Sequence, residues 1–243
     1  MDYEMRGLGF REGDVVVVTG AASGIGRATA KLASRSGLKV WGWDLTADAL
    51  DALVKEITEE GGQAHGTVCN VNDPAAIARA WDEADAVGPP RYLVNNAGPA
   101  SNTPLTYIEG LTQGPGSMAL VTEEWIKRFG DVAEACTFTS SIAAQRGAAN
   151  WYSVAKAGIK AYARNVAKTH GGKPRANSVA PGVTITPRVI SFGQEMMDSA
   201  ADRNPMGRNG QPEEIAAAII FLLSPAASYI NGIYLPVDGG LLL

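Results

Sequence analysis

A tyrosine and a lysine four residues apart, Tyr152 and Lys156, are the pair in this sequence with the clearest chemistry. The surrounding residues predict a helix, and on a helix this spacing places both side chains on one face. An ammonium beside a phenol favours the phenolate, so we expect the pKa of Tyr152 to lie below its usual value of about 10. Such a tyrosine can exchange a proton with an alcohol or a carbonyl oxygen.

A glycine-rich turn supplies the second half of a possible reaction. Gly20, Gly24 and Gly26 follow a run of valines and open a helix-like segment. At such a junction, backbone amides and the positive end of the helix can face a pyrophosphate. The spacing is Gly-x-x-x-Gly-x-Gly rather than the Gly-x-Gly-x-x-Gly of many dinucleotide sites, and a purely structural turn is the alternative. The turn therefore indicates a bound dinucleotide that carries a hydride.

An acidic residue, Asp44, ends the second predicted strand. A carboxylate at this position can accept hydrogen bonds from the adenosine ribose and would repel a 2′-phosphate. No lysine or arginine lies between Gly20 and Gly26 or directly after Asp44 to neutralise such a phosphate. We therefore predict NAD rather than NADP, with a helix cap or a solvated loop acid as the other interpretation of Asp44.

Short apolar runs alternate with segments of helical period, which is typical of βαβ units. The predicted strands are residues 14–19, 39–44, 64–71, 91–96, 136–141, 175–180 and 233–237. The predicted helices are near residues 24–36, 47–60, 74–86, 117–129, 151–169 and 212–223. We expect a single-domain α/β fold of the doubly wound Rossmann type over residues 1–243, with about seven parallel strands and helices on both faces.

One long segment has no clear period. It runs from residue 186 to residue 211 and holds Phe192, Met196 and Met197 among polar residues. A long, partly apolar excursion in a compact domain is often an active-site lid. We therefore predict a substrate lid over residues 187–211.

The bulk composition excludes several classes of protein. The 243 residues, 46% hydrophobic and 19% charged, suit one domain with a sizeable core. The net charge is −4 and the basic residues are scattered, so we expect no nucleic-acid or membrane partner. No run reaches transmembrane length and the first residues lack a signal-peptide pattern, so we expect a cytoplasmic protein. Cys69 and Cys136 are predicted to be buried, and no cluster has metal-ligand spacing.

A series of short motifs extends nearly from end to end of the chain. In order they are residues 19–26, Asp44, residues 95–98 (Asn-Asn-Ala-Gly), Ser140 with Ser141, Tyr152 with Lys156, residues 181–186 and residues 237–240. In this order they resemble the short-chain dehydrogenase/reductase family, in its compact branch of about 250 residues. The resemblance implies a nicotinamide-dependent oxidoreductase that interconverts a secondary alcohol and a ketone.

The resemblance also implies roles for individual residues. Tyr152 would be the general acid/base, Lys156 would bind the nicotinamide ribose and lower the tyrosine pKa, and Ser141 would hydrogen-bond the substrate oxygen. The implied cofactor-binding residues are Gly20, Ser23, Gly24, Ile25, Gly26, Asp44, Asn70, Val71, Asn95, Ala97, Gly98, Tyr152, Lys156, Pro181, Gly182, Thr184 and Thr186.

The position of the catalytic serine departs from the family pattern. The family usually has this serine thirteen residues before the tyrosine, which here is Thr139. The local sequence Ser-Ser-Ile-Ala-Ala instead matches the family segment with Ser141 in the catalytic position. We therefore predict a loop over residues 144–150 that is about two residues shorter, with Ser140 and Thr139 as the alternatives. A hydroxyl in a strand can also simply satisfy a neighbouring backbone group.

A second departure concerns a proton relay. Many family members carry an asparagine in the helix before the fifth strand, where it helps to link the lysine to water. Residues 112–118 here read Thr-Gln-Gly-Pro-Gly-Ser-Met, so Ser117 or a water would have to substitute. The proline and glycines also predict that this helix is broken or begins late.

The missing asparagine motivates a second hypothesis, a cofactor-binding redox-sensing or scaffold protein with little or no turnover. The presence of both Tyr152 and Lys156 favours the enzyme. Epimerases and dehydratases among the larger relatives need more chain than this. Enoyl-reductase relatives generally space the tyrosine and lysine more widely, which disfavours reduction of a carbon–carbon double bond.

The substrate is less constrained by the sequence. Trp151, Phe192, Met196 and Met197 could line an apolar pocket, although such residues are more often part of a core. No cluster of arginines or lysines marks an anion subsite. We expect a small, largely apolar ketone or secondary alcohol.

The assembly is predicted from two apolar segments. The helix at residues 151–169 is apolar around much of its circumference, and the segment at residues 233–243 ends in three leucines. Relatives usually form tetramers through such surfaces, so a homotetramer is expected, with a dimer as the second possibility.

Overall fold

A computed structural model describes residues 5, 7–147 and 150–243 of the chain. Seven parallel strands form one sheet in the order β3-β2-β1-β4-β5-β6-β7. The strands are β1 (Val15–Thr19), β2 (Lys39–Asp44), β3 (Ala64–Val68), β4 (Pro90–Asn95), β5 (Ala135–Thr139), β6 (Arg175–Pro181) and β7 (Tyr234–Val237). The predicted single-domain, doubly wound α/β fold is confirmed.

Ten α-helices lie in the described part of the chain. They are α1 (Gly24–Arg35), α2 (Ala47–Glu59), α3 (Pro74–Asp85), α4 (Tyr107–Leu111), α5 (Ser117–Phe129), α6 (Ala143–Arg146), α7 (Asn150–Thr169), α8 (Pro187–Ile190), α9 (Gln194–Asp202) and α10 (Pro212–Leu223). A π-helical turn, Thr112–Gly116, joins α4 to α5, and a 3₁₀ turn spans Pro225–Ala227. None of these described helices is long and apolar enough to cross a membrane.

The two faces of the sheet carry two separate cores. Val16 and Val18 of β1 pack in a cluster that includes residues of α1, α2 and α10. Val17, between them, packs in the other cluster, with residues of α3, α5 and α7. All three valines are fully buried, because successive side chains of a strand point to opposite faces. The continuous valine run thus follows from burial of the sheet on both sides.

The short helices were absent from the sequence prediction. Helix α4 begins with a capping box: the Glu109 amide donates to Thr106 Oγ1 over 3.2 Å, and the Thr106 amide donates to Glu109 Oε2 over 2.8 Å. Helix α8 begins with Thr186, whose Oγ1 accepts from the Val189 amide at 3.2 Å. These helices are too short to show a hydrophobic period, and their sequence signal is the cap.

The order of the strands brings β1 beside β4, which are distant in sequence. Thr19, at the end of β1, donates its hydroxyl to the Val94 carbonyl over 3.2 Å. The same hydroxyl oxygen accepts from the amides of Asn96 and Ala97, at 2.9 and 3.1 Å. The loops that follow β1 and β4 are therefore fixed to each other. In open α/β sheets, ligands bind in the crevice at this point of reversal.

A buried arginine holds the far end of α10. Arg175 of β6 is 8% exposed. Its Nη1 donates to the Leu222 carbonyl over 2.8 Å, and its Nη2 donates to the carbonyls of Leu223 and Ser224 over 3.0 and 2.9 Å. The guanidinium thus satisfies carbonyls that a helix end leaves without partners, and its charge complements the helix dipole.

Replacement of Arg175 by methionine should destabilise the fold strongly, because the buried carbonyls at the end of α10 lose their donors. We expect the free energy of unfolding to fall by about 3–5 kcal/mol, as measured by urea denaturation. Arg79→Met, on the exposed side of α3, is the matched control and should change it by about 0.5 kcal/mol or less. Equal effects of the two variants would contradict this role of Arg175.

Candidate active site

A cavity of about 430 Å³ opens at the carboxyl ends of the strands. Residues from the ends of six strands, β1 to β6, line it. We call it the active-site cavity, and its position is the crevice predicted by the strand order. The glycine turn, Asp44, Ser141, Tyr152 and Lys156 all contribute to its wall.

The glycine turn is shaped by close backbone approaches. A Cβ atom on Gly26 would lie 2.0 Å from the carbonyl oxygen of Gly20, so no larger residue fits there. Gly20 itself has a φ of +66°, a conformation that favours glycine. Asn96 Nδ2 donates to the carbonyls of Thr19 and Gly20 over 3.2 and 3.3 Å, which holds the turn from behind.

The start of α1 is suited to an anion. Its N-cap residue, Ser23, makes no side-chain hydrogen bond to the helix, so the side chain does not occupy the first-turn amides. These amides and the positive end of the helix dipole face the cavity wall formed by Ser23, Gly24 and Ile25. The glycine cradle and this helix end fit the pyrophosphate of a dinucleotide.

Asp44 lies at the end of β2 and is tied to the glycine turn. Its Oδ2 accepts from the Ala22 amide over 3.0 Å, and its Oδ1 accepts from the Leu45 amide over 2.7 Å. The N-cap of α2 is Thr46, so Asp44 is not the capping residue. Its carboxylate lines the active-site cavity, where ribose hydroxyls can donate to it.

The two adjacent serines after β5 have different partners. Ser141 Oγ accepts from the Ala143 amide over 3.2 Å, and a hydrogen bond from its hydroxyl acts to lower the pKa of Tyr152. Ser140 is buried and donates its Oγ to the Lys156 carbonyl over 2.8 Å. The hydroxyl of Thr139 is buried without a hydrogen-bond partner among the described residues. This geometry favours Ser141 over both alternatives. In the predicted shorter loop, residues 148 and 149 lie outside the described residues.

The lysine is held against the tyrosine by the backbone. Lys156 Nζ donates to the carbonyl of Thr139 over 2.7 Å and lies 5.5 Å from the centroid of the Tyr152 ring. Both residues are partly exposed as a whole, but their ionisable ends lie deep in the cavity. The pair therefore shares one poorly solvated environment.

Burial shifts the pKa of Tyr152 in the direction opposite to the predicted one. Desolvation raises the pKa of Tyr152 above its ordinary value, although the Ser141 hydrogen bond and the charge of Arg188 act in the opposite direction. Desolvation, followed by the charge of Arg188, lowers the pKa of Lys156 to about 7. The prediction that the pKa of Tyr152 lies below its usual value is thus wrong for this structure, because desolvation raises it. A poorly solvated site disfavours phenolate and ammonium alike.

The structure brings most of the predicted cofactor-binding residues together. All of them line the active-site cavity except Gly26 and Asn95. Gly26 permits the turn instead, as described above. Asn95 is 1% exposed and donates its Nδ2 to Thr122 Oγ1 over 2.9 Å, so its side chain faces α5. The neighbouring Asn96 lines the cavity, because consecutive residues of an extended chain point in opposite directions.

The four residues that were predicted to form an apolar lining lie outside the active-site cavity. Trp151, Phe192, Met196 and Met197 do not line the cavity. Trp151 is 3% exposed, donates its Nε1 to the Thr103 carbonyl over 3.0 Å, and packs closely on Gly110. Thr139 and Ser140, the alternatives to Ser141, also line the cavity. The lining residues that were not predicted for the site are Trp43, Leu45, Cys69, Asn72, Asn96, Pro99, Gln113, Pro187, Arg188 and Val189.

The segment that lacks the family asparagine contains a π-helical turn, Thr112–Gly116. Helix α5 begins at Ser117, directly after this turn, so of the two predicted alternatives the structure shows an interrupted helix rather than a late start. The Ser117 hydroxyl donates to the carbonyls of Gln113 and Gly114, at 2.9 and 3.0 Å, and is fully buried. Ser117 is therefore committed to its own helix, and Gln113 is the residue of this turn that lines the cavity.

Comparisons with known proteins find relatives that match nearly the whole chain. The family model described as Enoyl-(Acyl carrier protein) reductase matches residues 20–242. A 3-oxoacyl-(acyl-carrier-protein) reductase of Thermotoga maritima is 34% identical, over 96% of this chain and 99% of its own length. A cis-4-hydroxycyclohexanecarboxylate dehydrogenase of Sinomonas cyclohexanicum is 37% identical, over 93% of this chain and 95% of its own.

A solved structure is also similar. The 7α-hydroxysteroid dehydrogenase complexed with NADH and 7-oxo glycochenodeoxycholic acid has a TM-score of 0.84 and 30% identity, over 96% of this chain and 95% of its own. The chain belongs to the short-chain dehydrogenase/reductase family. Its relatives are dehydrogenases and reductases of alcohols and ketones, which supports oxidoreductase activity with a nicotinamide cofactor.

Lys156→Met should stabilise the protein, and the gain should depend on pH. Below about pH 7 the lysine is charged in both the folded and the unfolded state, so the full cost of burying the charge is present. Between about 7 and 10.5 only the unfolded state is charged, so this cost falls as the pH rises. We expect the gain in unfolding free energy to shrink by about 2–3 kcal/mol between about pH 6 and pH 9.5.

Urea denaturation across this pH range measures the effect. Lys160→Met, one turn further along α7 and outside the cavity lining, controls for the replacement of an ammonium on this helix. A gain for Lys156→Met that stays constant with pH would show that the ammonium is well solvated in the folded protein.

Proposed function

We propose that this chain is an NAD(H)-dependent oxidoreductase that interconverts a small secondary alcohol and a ketone. The observation that carries the proposal is the convergence of Ser141, Tyr152 and Lys156 on one cavity that also contains the glycine turn and Asp44. When bound, the nicotinamide supplies or accepts the hydride. The protein then has to donate or accept one proton and to stabilise the negative charge that develops on the substrate oxygen.

Tyr152 is proposed as the general acid/base. In reduction its hydroxyl donates a proton to the substrate oxygen, and in oxidation the phenolate takes that proton back. Because burial raises the tyrosine pKa, the phenol is the state present at neutral pH, and this state is ready for reduction. Oxidation requires the phenolate, so the oxidation reaction is favoured at alkaline pH.

Ser141 and Lys156 are proposed to support this proton transfer. The Ser141 hydroxyl, already bonded to Tyr152, can also donate to the substrate oxygen as negative charge develops on it. Lys156 is held by the Thr139 carbonyl beside the tyrosine ring, where its ammonium can also reach a ribose hydroxyl. Its charge favours the phenolate whenever it is protonated.

The remaining cavity residues are proposed to hold the cofactor. The backbone at Gly20, Ser23, Gly24 and Ile25 would receive the pyrophosphate, and Asp44 the adenosine ribose. Residues Asn70 and Val71 would border the adenine. The nicotinamide end would meet Ala97, Gly98, Pro181, Gly182, Thr184 and Thr186.

Two other activities are weighed against this proposal. The family model's description names reduction of a carbon–carbon double bond, but the four-residue spacing of Tyr152 and Lys156 supports carbonyl chemistry. A cofactor-binding protein with little turnover is the second candidate. The commitment of Ser117 to its own helix favours it, because this serine is then not available for a proton relay.

Tyr152→Phe tests the proposed mechanism. The change removes the hydroxyl and leaves the ring, so turnover of NADH with a panel of ketones should fall by at least about 100-fold. NADH affinity, measured by calorimetry, should stay within a few-fold. Near wild-type turnover in this variant would refute the mechanism, and tight NADH binding without turnover in the wild type would favour the second candidate.

The two serines provide matched controls for this test. Ser141→Ala should reduce turnover strongly with little effect on NADH affinity, because its partner is the Tyr152 side chain. Ser140→Ala should be mild, because its hydroxyl bonds to a helix carbonyl. The reverse order of effects would identify Ser140 as the catalytic serine.

Asp44→Ser tests the choice of NAD over NADP. The carboxylate at the ribose site would repel a 2′-phosphate, so wild-type protein should bind NADH much more tightly than NADPH. The variant should bind NADH more weakly and discriminate less. Calorimetry with both dinucleotides measures this, and equal affinities in the wild type would overturn the assignment.

Assembly, lid and location stay predictions. Tyr107, Ile108, Leu120 and Val154 are large apolar residues exposed on the described chain, which supports a homotetramer, or second a dimer, testable by light scattering. Arg188 and Val189 line the cavity, which supports a lid over residues 187–211. A cytoplasmic location rests on composition alone.

A further inference from the structure

One cation of the cavity has no part in the mechanism above. Arg188 belongs to α8, at the start of the predicted lid, and its exposed side chain lines the active-site cavity. Its Nη2 donates to the carbonyl of Gly98 over 3.1 Å, so the side chain crosses from the lid to the loop after β4. The guanidinium is therefore held at the cavity by a single neutral acceptor, and most of its donors stay available.

The charges that line the cavity are separated. Asp44 is the acidic residue among the lining residues, and backbone amides of Ala22 and Leu45 bond to its carboxylate. Within the described residues, no carboxylate forms an ion pair with Arg188. Its positive charge lowers the pKa of both Tyr152 and Lys156, so Arg188 acts electrostatically on the catalytic end. The basic side chains that line the cavity, among the described residues, are therefore Arg188 and Lys156, and Asp44 is tied to the glycine turn.

We propose that Arg188 is the anion-binding residue of the substrate site, and that the preferred substrate carries a carboxylate a few atoms from its alcohol or ketone. This inference rests on the proposed function and replaces the expectation of a largely apolar substrate. A planar guanidinium matches a carboxylate through two parallel hydrogen bonds, which a neutral ester cannot reproduce. The carboxylate would fix which way the substrate lies, and so which carbon faces the nicotinamide.

A cofactor phosphate is the competing source of an anion. The amides at the start of α1, near Gly24 and Ile25, already provide a place for the pyrophosphate. Arg188 instead extends to Gly98 and influences Tyr152 and Lys156, which favours an anion on the substrate side. The two sources predict different effects of an arginine substitution on dinucleotide affinity.

The test compares oxo acids with their methyl esters in the wild type and in Arg188→Gln. For each pair, kcat/KM is measured with NADH, and binding to the NADH-loaded protein is measured by calorimetry. Wild type should prefer at least one acid over its ester by about tenfold or more. Arg188→Gln should reduce that acid-to-ester ratio by about 10- to 100-fold, the effect of losing a charge-assisted hydrogen-bonded pair.

Arg203→Gln is the matched control, because it removes the same group from the end of α9 and does not line the cavity. Its acid-to-ester ratio should stay within about twofold of wild type. The inference is overturned if no acid is preferred, if Arg188→Gln leaves the ratio unchanged, or if it weakens NADH binding by the same factor, which would identify a phosphate contact.

The two proposals fail in different ways. Turnover of neutral ketones without any preference for acids would contradict the proposed anion subsite and support the proposed oxidoreductase activity. Weaker acid binding in Arg188→Gln, with no turnover of any substrate by the wild type, would support the anion subsite and contradict the proposed enzymatic activity.

Discussion

The close approach of the backbone turns after β1 and β4 is the constraint on which the rest of the site depends. Thr19 bonds to one carbonyl and two amides across this junction. A Cβ on Gly20 would come within 2.9 Å of Asn96 Nδ2 and 3.1 Å of the Ala97 backbone, so the junction closes only around glycine. This contact sets where α1 begins and where its amides point. The dinucleotide cradle is thus a consequence of how two strands meet.

The depth of the catalytic end determines its proton chemistry. A tyrosine and a lysine on one helix face suggest a phenolate, but the structure holds both ionisable groups where water is scarce. Desolvation raises the pKa of Tyr152 and lowers that of Lys156, so the neutral form of each is favoured. The site as folded favours the neutral phenol, which can donate a proton. A further change in the pKa of Tyr152 would have to come from the charge of a bound ligand.

Sequence reasoning was successful where burial leaves a periodic pattern. Strand β2 and helices α5 and α10 have the bounds that were predicted, because each is a continuous or periodic apolar segment that begins or ends at a polar residue or a proline. It failed where the outcome depends on the direction in which a side chain points or on how deeply the side chain is buried. The assignment of Asn95 rather than Asn96 missed the alternation at the end of β4, and the sign of the Tyr152 pKa shift depends on a burial that no local pattern encodes.

Arg188 illustrates why the substrate is the least predictable part of the site. Its segment has no helical period, and its position depends on the Thr186 cap and on a reach to Gly98 across the cavity. Once placed, it adds a second basic side chain, besides Lys156, to the wall of a cavity whose acidic lining residue is Asp44. A ligand with its negative charge at one end would be oriented before any bond changes. In the proposed function, this charge pattern would select the orientation of the substrate, and Tyr152 and Ser141 would act on the oxygen that this orientation presents.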